Sequence, residues 1–372
     1  MKYTRNMSKL LLLLLTSSIL FACTDTEQPS EQTDGEIEFE EDDVAVSELP
    51  DVEIADVHLF SFKDPKTDLD GYINKEGDIY IPPQYNQAFD FSDGLGKVSS
   101  WIDGVAKTGF INENGNFAIE PIYDHAESFS DGLAAVSIFR EQQLTGFINT
   151  KGELVIEMEG VFQVIDNLSE GVAKVFYSSP EDYTMGFVNK EGEVIVPPTY
   201  NVASMKFSDG LGFFADDEKQ YYFDYAGNIV LEFDRDILAC PFTGGLACMK
   251  GDNEKWGYMN KQAEMIIEPQ YESAQPFSEG LALIKLNQKW GFINQKGLQV
   301  IAPQFDLASS FSEGIAWVEV DGKWGAINRE GELVIEPQFE FTLPFEGGLA
   351  RVFINDKEAF INREGTIVFA IE

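Results

Sequence analysis

One stretch, Lys289-Trp290-Gly291-Phe292-Ile293-Asn294 followed by Gly297 and then by Val300-Ile301-Ala302-Pro303-Gln304-Phe305, recurs in register over the whole chain after residue 70. Aligned on the residue that closes its first strand, the copies fall at Asn74, Asn112, Asn149, Asn189, Asp224, Asn260, Asn294, Asn328 and Asn362, at spacings of 38, 37, 40, 35, 36, 34, 34 and 34 residues. A period of roughly 20 to 50 residues is the signature of a stacked array, in which each unit buries its apolar faces only against its neighbours. Chain length alone would suggest two or three domains, and the repeat overrides that count.

Within a copy the apolar period is two. Trp290 and Phe292 point to one face, Gly291 and Ile293 to the other, so this strand is expected to be covered on both sides. Three residues after the Asn comes Gly77, Gly115, Gly152, Gly192, Gly227, Gly297, Gly331 or Gly365, with Ala263 as the exception. Asn followed by Gly is hairpin chemistry, because the Asn side chain bonds its own turn and Gly accepts positive φ. The return strand carries Val/Ile pairs and is expected to end at a Pro (Pro82, Pro121, Pro197, Pro269, Pro303, Pro337).

Beyond the return strand lies a link such as Ala274-Gln275-Pro276-Phe277-Ser278-Glu279-Gly280-Leu281, in which Ala274 and Phe277 are spaced to share one face of a helical turn. Its Gly recurs at Gly94, Gly132, Gly171, Gly210, Gly245, Gly280, Gly314 and Gly348, which implies positive φ or a close backbone approach. The pattern predicts an all-β chain of nine tandem three-stranded antiparallel units of 34–40 residues, with Ile54 to Phe62 supplying the first strand and Phe369 to Glu372 the last. With no polar cap evident on either terminal unit, a propeller-like ring is favoured over an open β-superhelix.

This pattern resembles the bacterial WG-repeat family, built from tandem copies around a Trp-Gly pair followed by Phe-Ile-Asn. The resemblance covers residues 54 to 372. Units one to five lack the Trp, and unit five reads Tyr221-Tyr222-Phe223-Asp224 without the Gly. It implies the architecture and no uniform activity.

The first residues carry a different signal. Lys2, Arg5 and Lys9 precede an apolar and small run from Leu10 to Ala22, which has the form of a signal peptide over residues 1–22. The run is shorter than the ~20 residues a helix needs to span a bilayer. Its Leu-x-Ala-Cys ending resembles the lipobox of bacterial lipoproteins, which would make Cys23 the acylated first residue of a membrane-anchored envelope protein; secretory cleavage after Ala22 is the alternative. Residues 23–50 form an acidic tether: eleven acids and no base stand between Thr24 and Pro50. Residues 51–372 form the repeat domain. Loss of the leader removes three bases and no acid, taking the formal charge from −38 to −41, which excludes nucleic acid as a partner.

Candidate chemistry is sparse. His58 and His125 are the two histidines, and neither is expected to be catalytic. Asp68-Leu69-Asp70-Gly71 resembles a fragment of a calcium loop without its later ligands and reads better as a hairpin turn. No metal or cofactor is expected. Trp256, Trp290 and Trp324 recur at the repeat period, as core residues do. Trp101 and Trp317 fall off that register and are expected at exposed contacts, while Tyr221, Tyr222 and Tyr225 of the degenerate fifth unit are candidates for a binding face. Cys240 and Cys248 flank one turn of an exported chain, so they are expected to pair, with two separate reduced thiols as the alternative. The function expected is a non-enzymatic module that binds or scaffolds an envelope protein or glycan. The alternative is an envelope-glycan hydrolase with a carboxylate pair among the many acids.

Overall fold

Each unit is built on its hairpin turn. In unit seven Asn294 Oδ1 accepts hydrogen bonds from the amides of Lys296 (3.0 Å) and Leu298 (3.1 Å), while Gly297 N donates to Asn294 O at 2.9 Å. The same pair of side-chain bonds recurs at Asn74, Asn112, Asn149, Asn189, Asp224, Asn260 and Asn328. In the exceptional sixth unit, Ala263 itself adopts φ 60°.

The computed structural model describes residues 58–371, apart from 140–143, 159–161, 165–167, 179–182, 201, 204–206, 217 and 235–238. The leader, Cys23, the acidic tether and Ile54 to Val57 lie outside them. Residues Glu53–Glu372 make one unit of nine antiparallel sheets, one per repeat, with no helix among the described residues. Unit seven shows the full pattern, with an inner strand Ser273–Ser278, a second strand Leu281–Leu286, a third strand Lys289–Asn294 and an outer strand Gln299–Phe305, paired in that order.

Two expectations change here. The link is extended and not a helical turn: Ala274 and Phe277 are both buried from a strand that bulges between them, so the bulge restores the shared face that a helical turn was invoked to explain. Six of the nine sheets thereby gain a fourth strand. In units six and eight, single bridges at Ala239–Met249 and Ala308–Val318 take its place.

Nor does the outer strand end at its Pro. Pro303 sits inside Gln299–Phe305, opposite Gly291, and a Cβ on Gly291 would stand 2.6 Å from Pro303 N and 2.7 Å from Ile301 O. Gly and Pro are thus two halves of one close crossing of third and outer strands. The six units that carry the Pro show two register shifts in this ladder. Units three, five and nine lack it and show one. Pro has no amide to give the ladder, so it is tolerated where a bulge has already broken the pairing.

Alternate residues of the third strand feed opposite interfaces. Phe292 packs with Phe311, Val318 and Ile327 of unit eight, and Ile293 with Cys248, Tyr258 and Ile267 of unit six. Each side chain of this size contributes roughly 1.5–3 kcal/mol on burial. Every successive pair of units shares one such cluster. The ninth cluster joins Phe60, Phe62 and Ile73 of unit one to Leu349, Phe360 and Phe369 of unit nine. The hairpin Gly makes the same junction: Gly297 lies against Ile267, Gly331 against Ile301 and Gly365 against Ile335 of the preceding unit, and Gly77 of unit one lies against Val368 of unit nine. The nine sheets therefore close into a propeller-like ring.

Candidate functional site

Inner strands and the turns that follow them line the inner side of the ring. The turn sequence Phe-Ser-acid-Gly places its acid and its Gly at positive φ, for example Glu313 at 52° and Gly314 at 80°. Two interactions then tie most of these turns to the next. The hydroxyls of Ser92, Ser130, Ser169, Ser278 and Ser312 donate to the carbonyls of Phe129, Leu168, Phe207, Phe311 and Phe345 at 2.7–2.8 Å. The carboxylates of Asp93, Asp131, Glu170, Asp209, Glu279 and Glu313 accept from the amides of Gly132, Gly171, Gly210, Gly245, Gly314 and Gly348 at 2.5–3.0 Å. One rim of the ring is thus a circle of carboxylates, interrupted by Gly244 and Gly347.

The residue after each hairpin Asn reaches back to this rim on one side of the ring. Arg363 Nη2 lies 2.7 Å from Glu313 Oε2, Tyr225 OH donates to Glu170 Oε2 at 3.0 Å, and Lys261 and Arg329 donate to the carbonyls of Asp209 and Glu279. Asp93 has Thr150 at the corresponding place.

Beside Asp93, where units nine, one, two and three meet, opens a cavity of about 740 Å³. Its lining includes His58, Ser61, Asp90, Asp93, Glu346 and Arg351. Unit one is built from β1 (Phe60–Asp64), β2 (Leu69–Ile73) and β3 (Ile79–Tyr85), and β4 (Gln87–Ser92) is the inner strand of unit two. In the other eight sheets the second strand has an inner strand or a bridge on its inner edge. Among the described residues no strand lies on that edge of β1. Side chains serve it instead. Asp90 Oδ1 accepts from Ser61 N (2.7 Å) and Ser61 Oγ (2.8 Å), and Arg351 Nη2 donates to Ser61 O (2.8 Å) and to Asp90 Oδ1 (3.1 Å). Arg351 Nη1 is also paired with Glu358 at 3.2 Å. His58 packs on Phe60 with ring centroids 4.7 Å apart, and its Nε2 is buried without a hydrogen bond.

The residues singled out in the sequence do not gather here. Trp317 is 2% exposed: it stacks on Phe345 at 5.5 Å and donates Nε1–H to Leu343 O at 2.9 Å, which makes it an inter-unit staple rather than an exposed contact. Trp101 is exposed near the end of its strand. Tyr222 is buried, its hydroxyl donates to Cys240 O at 2.6 Å, and burial pushes its pKa up. Tyr221 is half-buried and bonds Asp216 at 2.9 Å. Tyr225 lies on Phe207 at the rim, and partial burial together with the Glu170 carboxylate raises its pKa. Cys240 and Cys248 are joined in a disulfide whose Cys248 end is fully buried. Asp68 bonds Lys63 at 3.0 Å within its own hairpin, and Asp70 accepts from Ala88 N of unit two at 2.8 Å, so the segment serves its turn and the junction with the next unit. His125 is exposed beside Glu127 at 3.1 Å. Among the described residues no group of three or more His, Cys, Asp or Glu side chains is arranged to hold a metal.

The cavity residues escaped the sequence reading because they stand at variable positions of the repeat: Ser61 and Arg351 share one, held elsewhere by Lys97, Ala135, Lys174 and Trp317, and Asp90 aligns with Pro276 and Ser310. The rim acids did leave a signal, an acid before six of the eight recurring Gly, which the Gly overshadowed.

Among solved structures, the chain is similar to a eukaryotic initiation factor, at 9% identity and a TM-score of 0.56 over 84% of this chain and 96% of that one. It is also similar to BamB from Moraxella catarrhalis (12% identity, 76% and 92% covered, TM-score 0.38) and to the computationally designed protein Ika8 (12% identity, 74% and 93% covered, TM-score 0.41). No curated protein matches the chain. The family model described as WG containing repeat matches residues 71–99, 109–138, 146–177, 185–219, 256–290, 290–324 and 324–357. These segments cover more than half of the sequence, each contains one hairpin and the crossing described above, and the chain belongs to the WG containing repeat family.

Proposed function

We propose that the chain is a non-enzymatic binding or scaffold module, held on a cell-envelope membrane by acylation of Cys23, with an envelope protein or glycan as its partner. The observation that carries the binding reading is the cavity on the inner side of the ring. It is lined by polar groups of four units and lies in the roughly 300–1,000 Å³ range of ligand sites. The carboxylate of Asp90 in its wall is committed to Ser61 and Arg351, and that of Asp93 to Gly132 N, which suits fixed acceptors better than a proton-shuttling pair. The leader, the lipobox-like Leu-x-Ala-Cys and the acidic tether support the address.

The test is capture from envelope extract on immobilised mature chain, run beside assays of turnover on peptidoglycan and polysaccharide. Specific capture without turnover is the expected result. Turnover that is lost on substituting Asp90 or Asp93 would replace this reading with a hydrolase. For the anchor, Cys23→Ala should leave the membrane fraction, and its retention there at the wild-type level would contradict acylation.

A further inference from the structure

We propose that a second cavity of the ring binds a neutral glycan, with the side chain of Tyr225 as the platform on which a sugar stacks. This rests on the binding reading above, and at this place it chooses a glycan over a protein as the ligand. The cavity, of about 590 Å³, is lined by rim turns of units three and four and by hairpin turns of units four and five, with Asp131, Glu170, Lys190, Glu191 and Tyr225 in its walls.

It lies where the tie between hairpin and rim is not made. From unit six to unit nine the residue after the hairpin Asn donates to the rim turn of the preceding unit, as Gln295 Nε2 does to Gly244 O at 2.7 Å and Arg363 to Glu313. In unit four that residue is Lys190 and the rim acid is Asp131. The Lys190 stem passes over the turn, its Cδ 3.8 Å from a Cβ placed on Gly171, but among the described residues its ammonium makes no hydrogen bond or ion pair. Asp131 Oδ2 accepts from Gly171 N at 3.0 Å, and Oδ1 is left unused. A donor and an acceptor therefore both line the cavity with bonding capacity to spare.

Tyr225 supplies the third element. The other eight copies carry Lys, Arg, Glu, Gln or Thr at this place, and unit five alone an aromatic residue. Its hydroxyl is held by Glu170 Oε2 at 3.0 Å and its ring rests on the buried Phe207 with centroids 4.5 Å apart, yet the residue is 50% exposed. A ring fixed at its edge and backed on one side, with half its surface open, is a platform that needs no ordering when a ligand arrives.

A sugar matches this set. One side of a pyranose is a row of C–H groups, which the negative face of an aromatic ring attracts, and its periphery carries hydroxyls that donate to carboxylates and accept from an ammonium. The volume lies in the range of ligand sites. Three carboxylates against one ammonium, in a chain of formal charge −38, repel uronic acids and phosphate-bearing glycans, and Lys190 opposes a free amine, so the sugar is neutral.

The probes are cellotetraose, mannotetraose and fully N-acetylated chitotetraose, with tetragalacturonate as the acidic comparison, each titrated calorimetrically into the full mature chain. At least one neutral tetrasaccharide should bind, and tetragalacturonate about tenfold or more weakly. Tyr225→Ala should weaken that binding about tenfold, the scale of an aromatic stacking contact. Tyr225→Phe, which keeps the ring and loses only the Glu170 hydrogen bond, should stay within about threefold of the parent chain, and Lys190→Met should cost about threefold. Trp101→Ala removes an exposed aromatic outside the cavity and should leave binding unchanged. Failure of all three neutral probes to bind would overturn the proposal, as would undiminished binding in Tyr225→Ala or tighter binding of tetragalacturonate. In any of these cases specific capture of a protein from envelope extract would leave the broader binding reading standing.

Discussion

Gly314 shows what a single residue contributes. At φ 80° it has open space around a hypothetical Cβ, so the cost of a substitution there is backbone strain alone. Gly314→Val should lower stability by about 1–3 kcal/mol. Lys289→Ala, which removes an exposed ion pair to Asp306, should change it by less than ~1 kcal/mol. Denaturant melts of the two variants check this, and coincident midpoints would mean the turn has been misread. Trp317→Ala should cost more, on the order of 3–5 kcal/mol, because it empties a fully packed site and leaves Leu343 O without its donor. The two residues also mark the limit of what the sequence discloses. The need for Gly at position 314 is local, set by its own φ, and a repeating Gly announces it. The burial of Trp317 depends on Phe345 and Leu343 in the next unit, and no local pattern specifies that contact.

At the scale of the strand, the informative places are those where the inner strand is weakened. In unit six that strand is reduced to the Ala239–Met249 bridge and the Cys240 N to Cys248 O bond, and the disulfide spans the same two segments. Opening it frees a loop with a sequence separation of 8 residues. Reduction should cost about 2–3 kcal/mol by the loop-entropy estimate, read as the shift in guanidinium midpoint with and without reductant; no shift would mean that the neighbouring units hold the link unaided. In unit three the inner segment carries Glu127, whose carboxyl sits below its ordinary pKa, chiefly through the His125 hydrogen bond and then through Lys97, against an opposing effect of burial. A depressed carboxylate stabilises the fold above its unfolded pKa of roughly 4.3, and that contribution is lost as pH falls through the folded value. Glu127→Gln should therefore flatten the acid limb of the stability curve below about pH 5 and leave the neutral range less stable. A parallel curve displaced at all pH values would exclude the linkage. The hairpins of these units were legible because Asn and Gly encode them within five residues. The inner strands were misread as helical turns because the bulge between Ala274 and Phe277 imitates a helical spacing.

At the scale of the molecule, one junction has no counterpart in the repeat. Units one to nine are joined pairwise by similar clusters and, except at Ala263 of unit six, by the same Gly-to-outer-strand contact, and the last junction alone joins residues 290 positions apart, with Arg351 bonded to Ser61. The repeat count and the paired faces were readable from the sequence. Closure was favoured from the lack of a polar cap on the terminal units, while the unit curvature that produces it follows from inter-unit packing that no single copy encodes. Arg351→Met should loosen this junction before any other, seen as faster hydrogen exchange in Phe60–Asp64 and Leu349–Ile354 than in the equivalent strands of units seven and eight. The ring itself is tested by spin-label distances between equivalent first positions of the outer strands, all exposed: Ile79 in unit one, Phe117 in unit two and Ile367 in unit nine, each replaced by Cys in a Cys23→Ala background that retains the Cys240–Cys248 disulfide. A closed ring predicts that the Ile79–Ile367 distance matches the Ile79–Phe117 distance, since both pairs lie on adjacent sheets. An open stack of nine sheets spaced ~10 Å apart would instead separate Ile79 from Ile367 by on the order of 80 Å, and that result would contradict the account.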